Sequence, residues 1–450
     1  MKRRSFLAGS AFPLMTGLGG LSLLCSSSLG FAAGQDYKAL VCLYLNGGND
    51  GNNTLVPIDA AYNDYSSSRP NLAHPKNSLT HLAGSSAGHT FGVHPAIASL
   101  AALYNQERLA WIANAGPLIV PATAQQVIDK AVQIPPFLMS HSDQTAIQQG
   151  WGGDSDTSGW AGRALELLPA SMLNPLNAVT MDSNRTLVLG KKSAVSFLSP
   201  GGVQYWGSAN LASPRDYWTQ TLNNMARWQF SNSYESEYAS TLSSSLTDST
   251  IITNALVRAV SPTGDFGTDE LSQKLQTIAS VMPVFKSMGY RRQIFLVTWG
   301  SFDTHYDQLG TDARTQDAQL RVMAKAVNAF DKSNQDAGID LDVTTLQMSE
   351  FGRTLRPASG GGSDHAWGNH WFVMGGAVAG KQVIGQFPSL VLGGIDDSDP
   401  GAGGRMVPST STDQVGASLM QWMGVPSDQL LTIFPNLVNF KNKTLPIFKA

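Results

Sequence analysis

The chain has 450 residues, of which 42% are hydrophobic and 14% charged, and its formal net charge is -3. This is the composition of a globular protein with a large core, and the near balance of charge gives no reason to expect a nucleic acid partner. The length accommodates one large α/β domain or two smaller ones.

The N-terminus has the features of an export signal. Lys2-Arg3-Arg4 is followed by Ser5-Phe6-Leu7, which completes an R-R-x-F-L pattern, and a weakly apolar, Gly-rich stretch runs from Ala8 to Leu24. This predicts a twin-arginine signal peptide over residues 1–34, cleaved near residues 32–34. It also predicts a periplasmic or secreted location, with the twin-arginine export machinery as a partner. A general secretory signal that carries two arginines is the alternative.

Strands alternate with helices over residues 35–450, and no stretch there is long and apolar enough to span a bilayer. We predict strands at 38–45, 108–115, 293–298, 343–348, 371–376 and 381–385, and helices at 94–105, 140–149, 247–260, 268–288, 311–337 and 412–423. Because these strands are rich in Val, Ile and Leu, the pattern predicts a three-layer α/β fold with a largely parallel sheet. A stretch rich in Gly, Ser, Trp and Asn at 184–234 is predicted to be an insertion or cap.

Carboxylates and imidazoles follow three of the predicted strands. Asp50 follows the first strand, Asp303 and His305 follow the strand at 293–298, and Glu350 follows the strand at 343–348, where we expect a helix to begin. Sites in parallel sheets form beyond the carboxyl ends of strands. Imidazole and carboxylate ligands together suit Zn²⁺, Mn²⁺ or Fe. The sequence therefore predicts a metal site at this edge of the sheet.

A Gly-rich segment supplies further candidate ligands. Asp364, His365 and His370 lie in a predicted loop that begins at Gly360 and ends at His370. The glycines in this loop let the backbone turn the imidazoles inward. In one alternative Asp364 does not bind the metal but orients an imidazole. An ordinary surface loop is the other alternative.

Two residues are candidates for catalysis. Arg353 stands three residues after Glu350, where it could neutralise charge on an anionic substrate or form a structural salt bridge with Glu350. Ser142 lies at the predicted start of a helix and is a candidate nucleophile, although serines there more often cap the helix. No G-x-S-x-G elbow occurs, so a standard α/β-hydrolase triad is not predicted.

Six segments together resemble the domain of unknown function 1501 family of bacterial exported proteins. They are LNGGNDGNNTLVP (45–57), HPAI (94–97), FDTH (302–305), SEFGRT (349–354), DHAWGNH (364–370) and DQVGASLMQWMGV (413–425), and the R-R-x-F-L leader also matches. The resemblance implies a fold related to the alkaline phosphatase and sulfatase superfamily, but no particular reaction.

For the site, the resemblance implies a two-metal design in which Asp50, the pair Asp303 and His305, and His365 or His370 match ligand positions. Phe351 stands where the superfamily has a ligating His, which weakens one metal position unless a His from 364–370 takes its place. The C-x-P-x-R motif of sulfatases that use a modified Cys is absent.

The sequence thus predicts an exported metal-dependent hydrolase of phosphate or sulfate esters that acts on a small anionic ester. A divalent metal, Zn²⁺ or Mn²⁺, is expected to be held by residues drawn from Asp50, Asp303, His305, Glu350, Asp364, His365 and His370. The alternative is a non-catalytic exported binding protein with a degenerate metal site on the same fold, favoured by Phe351 and by the lack of a clear nucleophile. A structural Ca²⁺ site, which would need all-oxygen ligands, is a third hypothesis.

Overall fold

The structure is a computed structural model that describes residues 36–150, 156–202 and 217–450. The predicted signal peptide at 1–34 lies outside these ranges, as does part of the predicted insertion at 184–234. Within the described ranges, none of the helices combines the length and the apolar character needed to cross a lipid bilayer.

The secondary structure elements are numbered in chain order. The strands are β1 Lys38–Leu45, β2 Leu55–Pro57, β3 Thr80–His81, β4 Phe91–Val93, β5 Leu109–Gly116, β6 Ala178–Thr180, β7 Ser196–Phe197, β8 Arg292–Trp299, β9 Val343–Ser349, β10 Gly352–Pro357, β11 Ser363–Ala366, β12 Asn369–Met374, β13 Val383–Ile384 and β14 Thr410–Ser411. The helices are α1 Gly51–Thr54, α2 Tyr62–Ser68, α3 Ala98–Asn105, α4 Ala124–Ile128, α5 His141–Gln149, α6 Trp160–Leu165, α7 Tyr217–Met225, α8 Ser233–Val257, α9 Glu270–Ser287, α10 Gln316–Asp336, α11 Thr412–Trp422 and α12 Leu430–Ile433.

The main sheet has the strand order β13-β5-β12-β9-β1-β8-β6-β7, with β14 also paired to β5. β1 pairs in parallel with both β8 and β9, and β6 pairs in parallel with β7 and β8. β12 is antiparallel to both of its neighbours, β5 and β9. Since β13 and β14 are parallel to β5, β12 alone runs against the other strands of this sheet in the described residues. The prediction of a largely parallel sheet is confirmed.

Helices cover both faces of this sheet. In β1, Val41 and Leu43 point to a core that includes side chains of α3, α8, α9 and α10, whereas Cys42 and Tyr44 point to a core that includes side chains of α6, α11 and α12. A strand with both faces buried needs a continuous apolar sequence, which explains why β1 does not alternate. The three-layer α/β fold is therefore as predicted.

The segment after β9 differs from the prediction. We expected a helix after Glu350, but the chain forms the antiparallel hairpin of β10 and β11, in which Arg353 lies opposite His365. Pro357 and the three glycines at 360–362 disfavour a helix and favour a turn. The hairpin also places Asp364 and His365 in a strand, where the sequence predicted a loop.

Candidate metal centre

The loops that follow three adjacent parallel strands meet at one edge of the sheet. β9, β1 and β8 lie side by side, so the segments after Ser349, Leu45 and Trp299 are neighbours. Gly47 has φ +90, and a Cβ there would lie 2.5 Å from the backbone nitrogen of Asp303. Glycine at this position therefore permits the close approach of the loop after β1 to the loop after β8.

Asp303 is the centre of a cluster of imidazoles. Its Oδ1 lies 3.0 Å from Nε2 of His365 and 3.1 Å from Nε2 of His305. The two Nε2 atoms are 3.0 Å from each other. The loop after β8 and the hairpin of β10 and β11 thus bring three metal-ligating atoms together.

A third imidazole joins the cluster from α5. Nε2 of His141 lies 3.5 Å from Oδ2 of Asp303, and its Nδ1 is 2.7 Å from Oε2 of Glu350. His141, Asp303 and His365 each offer one ligand atom, and these atoms lie within 4.8 Å of one another. His141 is the first residue of α5, so the start of this helix fixes its position.

All three rings have their Nδ1 atom tied to an oxygen. The partners are Asp364 Oδ1 for His305 at 2.9 Å, the Met139 carbonyl for His365 at 2.8 Å, and Glu350 for His141. A carbonyl or carboxylate oxygen only accepts hydrogen bonds, so each Nδ1 carries the hydrogen. In the neutral ring, Nε2 then holds a lone pair, and all three lone pairs are directed at the Asp303 carboxylate.

Acceptors that face acceptors need a cation or a proton between them. Tying Nδ1 of a ligating His to an outer carboxylate or carbonyl is the usual way in which proteins orient metal ligands. Tetrahedral zinc, with bonds of 2.0–2.2 Å, separates its ligand atoms by about 3.3 Å. The separations of 3.0 to 3.1 Å among Asp303, His305 and His365 are close to this value, so these residues fit a divalent ion.

Arg353 fixes the position of the carboxylate. Its buried guanidinium donates to the carbonyls of Gly47, Gly48, Phe302 and Ser363, and to Oδ1 of Asp303 at 2.5 Å. Every hydrogen bond that the structure gives Arg353 thus ends on an oxygen of the protein. Arg353 joins three chain segments and holds Asp303 among the imidazoles.

The electrostatics keep both kinds of ligand in the form that binds a metal. Burial by itself raises the pKa of Asp303, but the hydrogen bond from Arg353 and the charge of Arg353 bring this pKa below its ordinary value. Burial lowers the pKa of His365. At neutral pH, Asp303 is therefore charged and His365 is neutral.

The cluster is open to solvent on one side. The side chains of Asp303, His305 and His141 are 35%, 33% and 46% exposed. A site for a reaction needs such an open position, because a substrate or water must reach the metal.

Phe351 forms the apolar wall of the cluster. Its ring centroid lies 4.4 Å from that of His365 and 5.1 Å from that of His141. The side chain is fully buried, and a Cβ on Gly48 would lie 2.3 Å from its ring. Phe351 therefore restricts the orientations of two imidazoles but offers no ligand atom.

Two predicted ligands lie apart from this cluster. Asp50 is buried in an ion pair with Arg69 and accepts hydrogen bonds from the Gln308 side chain at 2.7 Å and from the backbone of Asn52. His370 is buried, and its Nδ1 accepts a hydrogen bond from the backbone N–H of Asn114 at 3.0 Å.

The other predicted residues are near the cluster in different roles. Glu350 and Asp364 contact imidazoles at Nδ1, on the side away from Asp303. Ser142 is exposed on the first turn of α5, next to His141 along the chain.

A second group of two histidines and one aspartate lacks the same geometry. His74, His94 and Asp317 also have ligand atoms within 4.8 Å of one another. However, Nδ1 of His94 accepts a hydrogen bond from the backbone N–H of Ala96, so its Nε2 carries the hydrogen and donates to Asp317 at 2.9 Å. His94 therefore has no lone pair directed at this group, which is a hydrogen-bonded structural contact.

The sequence did not single out His141. It directly precedes Ser142, to which the candidate chemistry was assigned, and a His at the start of a helix carries no signal of its own. Its partner Glu350 is 209 residues away in the chain, so only the fold brings them together. The contact of Met139 with His365 is made by a backbone carbonyl, so no residue type in the sequence predicts it.

The family model for "Protein of unknown function (DUF1501)" matches residues 37–397, and the chain therefore belongs to this family. A search of curated proteins finds no match.

Several solved structures are similar at low identity. The lipoteichoic acid synthase LtaP from Listeria monocytogenes is 10% identical, with a TM-score of 0.34 and coverage of 88% of this chain and 74% of that chain. A phosphonate monoester hydrolase from Silicibacter pomeroyi is 9% identical, with a TM-score of 0.31 and coverage of 87% and 74%. A 2-O GAG sulfatase is 7% identical, with a TM-score of 0.30 and coverage of 87% and 71%. Likenesses of this strength carry no argument about the reaction of this chain.

Acid should destabilise the protein through His370. Burial lowers the pKa of His370 to about 3 from the ordinary value of 6.5. The unfolded chain therefore binds a proton that the folded chain does not. The contribution of His370 to the free energy of unfolding is complete above pH 6.5 and decreases as the pH falls towards 3. Urea unfolding at pH 7.5 and 4.5 should show that His370→Asn, which keeps an acceptor for Asn114, reduces this loss by about 2 kcal/mol. The exposed control His81→Asn should leave the loss unchanged, and an equal loss in His370→Asn would contradict the account.

Proposed function

We propose that the chain is an exported metal-dependent hydrolase of phosphate or sulfate esters whose divalent ion is bound by Asp303, His305 and His365. The observation that supports this most directly is the hydrogen bonding of the three imidazoles, each of which is tied at Nδ1 and directs Nε2 at Asp303. The mixture of nitrogen and oxygen ligands favours Zn²⁺ or Mn²⁺ over Ca²⁺, which prefers oxygen alone.

The predicted ligands fall into three groups. Asp303, His305 and His365 bind the ion. Asp364 orients His305, and Glu350 orients His141, because each carboxylate contacts Nδ1 rather than Nε2. Asp50 and His370 are not part of this proposed centre.

His141 is the proposed proton acceptor of the reaction. A bound divalent ion supplies the polarisation of the ester oxygen and lowers the pKa of water. Nε2 of His141 faces the centre and would receive a proton from the attacking water as its oxygen bonds to phosphorus or sulfur, while Glu350 stabilises the resulting imidazolium through its contact with Nδ1. The bond from phosphorus or sulfur to the ester oxygen breaks, and the imidazolium returns the proton to the leaving alkoxide, which departs as an alcohol. Arg353 acts through Asp303, which it holds in place.

The attacking group is proposed to be water. In the described residues, no hydroxyl side chain is hydrogen-bonded to the rings of His141, His305 or His365 or to the carboxylate of Asp303. Ser142, exposed beside His141, is the alternative, and a Ser142→Ala variant that retains turnover would favour water.

The charge of the site predicts an order of binding. Asp303, Glu350 and Asp364 carry three negative charges around the cluster. Of the nearby cations, Arg353 is paired with Asp303, and Arg405, which donates to the carbonyl of His365, is paired with Asp399. A small anionic ester is repelled by this excess unless a divalent cation is bound first. The proposed substrate therefore binds only to the metal-loaded protein.

The second candidate, a non-catalytic binding protein, is favoured by two observations. No hydroxyl side chain among the described residues is hydrogen-bonded to the cluster, and Phe351 forms the wall of the cluster. It predicts tight metal binding without turnover of any ester. Metal loading and turnover must therefore be measured on the same preparation.

Mutations should distinguish the proposed role of His365 as a metal ligand from that of His141 as a base. His365→Asn should lower zinc affinity about 100-fold or more, because it removes a ligand. His141→Asn should leave zinc affinity within about threefold and lower kcat for phosphate or sulfate esters by about 10²- to 10⁴-fold. The measurements are zinc titration with a competing chelator and steady-state hydrolysis over an ester panel.

His89→Asn is the matched control for both variants, because His89 pairs with Asp59 at 3.0 Å outside the cluster. It should change neither quantity. Full zinc loading of His365→Asn would rule out the proposed ligand set, and metal-loaded wild type without turnover would favour the second candidate.

Orientation of His305 should also contribute to affinity. Asp364→Asn removes the charged acceptor at Nδ1 and should weaken zinc binding by about 10- to 100-fold, as for other residues that orient a ligand. Asp307→Asn is the control, since Asp307 is exposed in the loop that carries His305. Equal affinities for the two variants would show that Asp364 does not orient His305.

Export is the remaining part of the proposal. Replacing Arg3 and Arg4 together by Lys should leave the unprocessed protein inside the cell, because the export machinery reads the arginine pair. A Lys2→Arg variant is the control and should be exported. Cell fractionation and the mass of the mature N-terminus provide the measurement, with cleavage expected near residues 32–34. Normal export of the double variant would instead indicate a general secretory signal.

A further inference from the structure

Two large aromatic side chains next to the metal centre are exposed. Phe137 is 73% exposed and Tyr306 is 72% exposed. Tyr306 directly follows the proposed ligand His305. Phe137 lies two residues before Met139, whose carbonyl holds His365. Both rings are therefore attached to chain segments that form the centre.

The backbone around Phe137 is held in an unfavourable conformation. Phe137 has φ +51 and Met139 has φ +69, in the left-handed region that side chains other than Gly rarely adopt. Leu138, between them, packs against a buried apolar cluster, and Met139 is fixed by its bond to His365. Such strain persists only where the surroundings impose it, and it is frequent at functional sites.

Tyr306 is also held in place. A Cβ on Gly360 would lie 1.9 Å from Cδ1 of Tyr306, so the ring lies over a glycine that leaves space for it. The backbone N–H of Asp307 donates to the carbonyl of Gly360 at 3.1 Å, which fixes the same contact from the next residue. The ring is thus pre-organised while most of its surface remains in solvent.

Both rings lie on chain segments that contact or carry the metal-binding imidazoles. Phe137 belongs to the segment that contacts His365, and Tyr306 to the segment that carries His305, and the Nε2 atoms of these two imidazoles are 3.0 Å apart. The two exposed rings are therefore the large apolar side chains that these two segments offer to the organic part of an ester bound at the imidazoles. Aromatic rings bind flat apolar surfaces by stacking.

We propose that Phe137 and Tyr306 bind the organic part of the substrate, and that this part has a flat apolar face, as an aromatic ring or one face of a sugar has. The inference rests on the proposed function for the ester group but adds the class of group that the ester carries. Small esters without such a face should bind more weakly.

Isothermal titration calorimetry of the zinc-loaded protein with phenyl phosphate and methyl phosphate tests this. Phenyl phosphate should bind about 10-fold more tightly than methyl phosphate. Phe137→Ala and Tyr306→Ala should each weaken phenyl phosphate binding by about 3- to 10-fold and leave methyl phosphate binding unchanged. Glucose 1-phosphate in the same assay shows whether a sugar face is also accepted.

Tyr234→Ala is the matched control, because Tyr234 is an 86% exposed aromatic on α8 with no contact to the cluster in the described structure. It should change none of the affinities. Equal binding of the two phosphates, binding of neither, or no effect of Phe137→Ala and Tyr306→Ala would overturn the inference.

Turnover of methyl phosphate by the same preparations tests the hydrolase proposal separately. Ring-dependent binding of phenyl phosphate without turnover of either ester would support this inference while contradicting hydrolysis. Turnover with no preference for phenyl phosphate would support hydrolysis and overturn this inference.

Discussion

The buried guanidinium of Arg353 is the interaction on which the rest of the centre depends. It binds the carbonyls of Gly47 and Gly48 after β1, the loop at Phe302 and Asp303 after β8, and Ser363 of the hairpin. A charge in the protein interior is costly unless it is fully paired, and here carbonyls and one carboxylate provide that pairing. The same bonds that satisfy Arg353 fix Asp303, so the stability of this edge of the sheet and the geometry of the centre have one origin.

Hydrogen-bond direction distinguishes the proposed metal centre around Asp303 from the other group of histidines and aspartate. Both groups of His and Asp in the described structure bring ligand atoms within 4.8 Å. Around Asp303, each ring has its hydrogen on Nδ1, bound to an outer oxygen, so the lone pairs converge. In the group of His74 and His94, the backbone N–H of Ala96 donates to Nδ1 of His94, so the ring hydrogen is on Nε2, which faces Asp317. The distances are similar in the two groups, but in the second group the inward nitrogen of His94 carries a hydrogen and donates it to Asp317, whereas the inward nitrogens of His141, His305 and His365 do not carry one.

Local sequence patterns predicted the parts of the fold that depend on local physics. β1 and the middle of β8 are continuous apolar runs because both of their faces are buried, and such runs are visible in one sequence. The position of Asp303 and Glu350 at strand ends follows from the same patterns. The hairpin of β10 and β11 was missed because the residue types after Glu350 do not show that Arg353 will pair with His365. Which carboxylate contacts which nitrogen depends on pairs far apart in the chain, such as His141 with Glu350, and no local pattern encodes them.

The most direct test of this account is the position of a bound ion in crystals of the protein grown with Zn²⁺, read from anomalous diffraction at the zinc edge. We expect one strong peak within about 2.0–2.2 Å of Nε2 of His305, Nε2 of His365 and a carboxylate oxygen of Asp303. A peak beside Asp50 or His370, or Nε2 atoms turned away from Asp303 in the presence of zinc, would contradict the account.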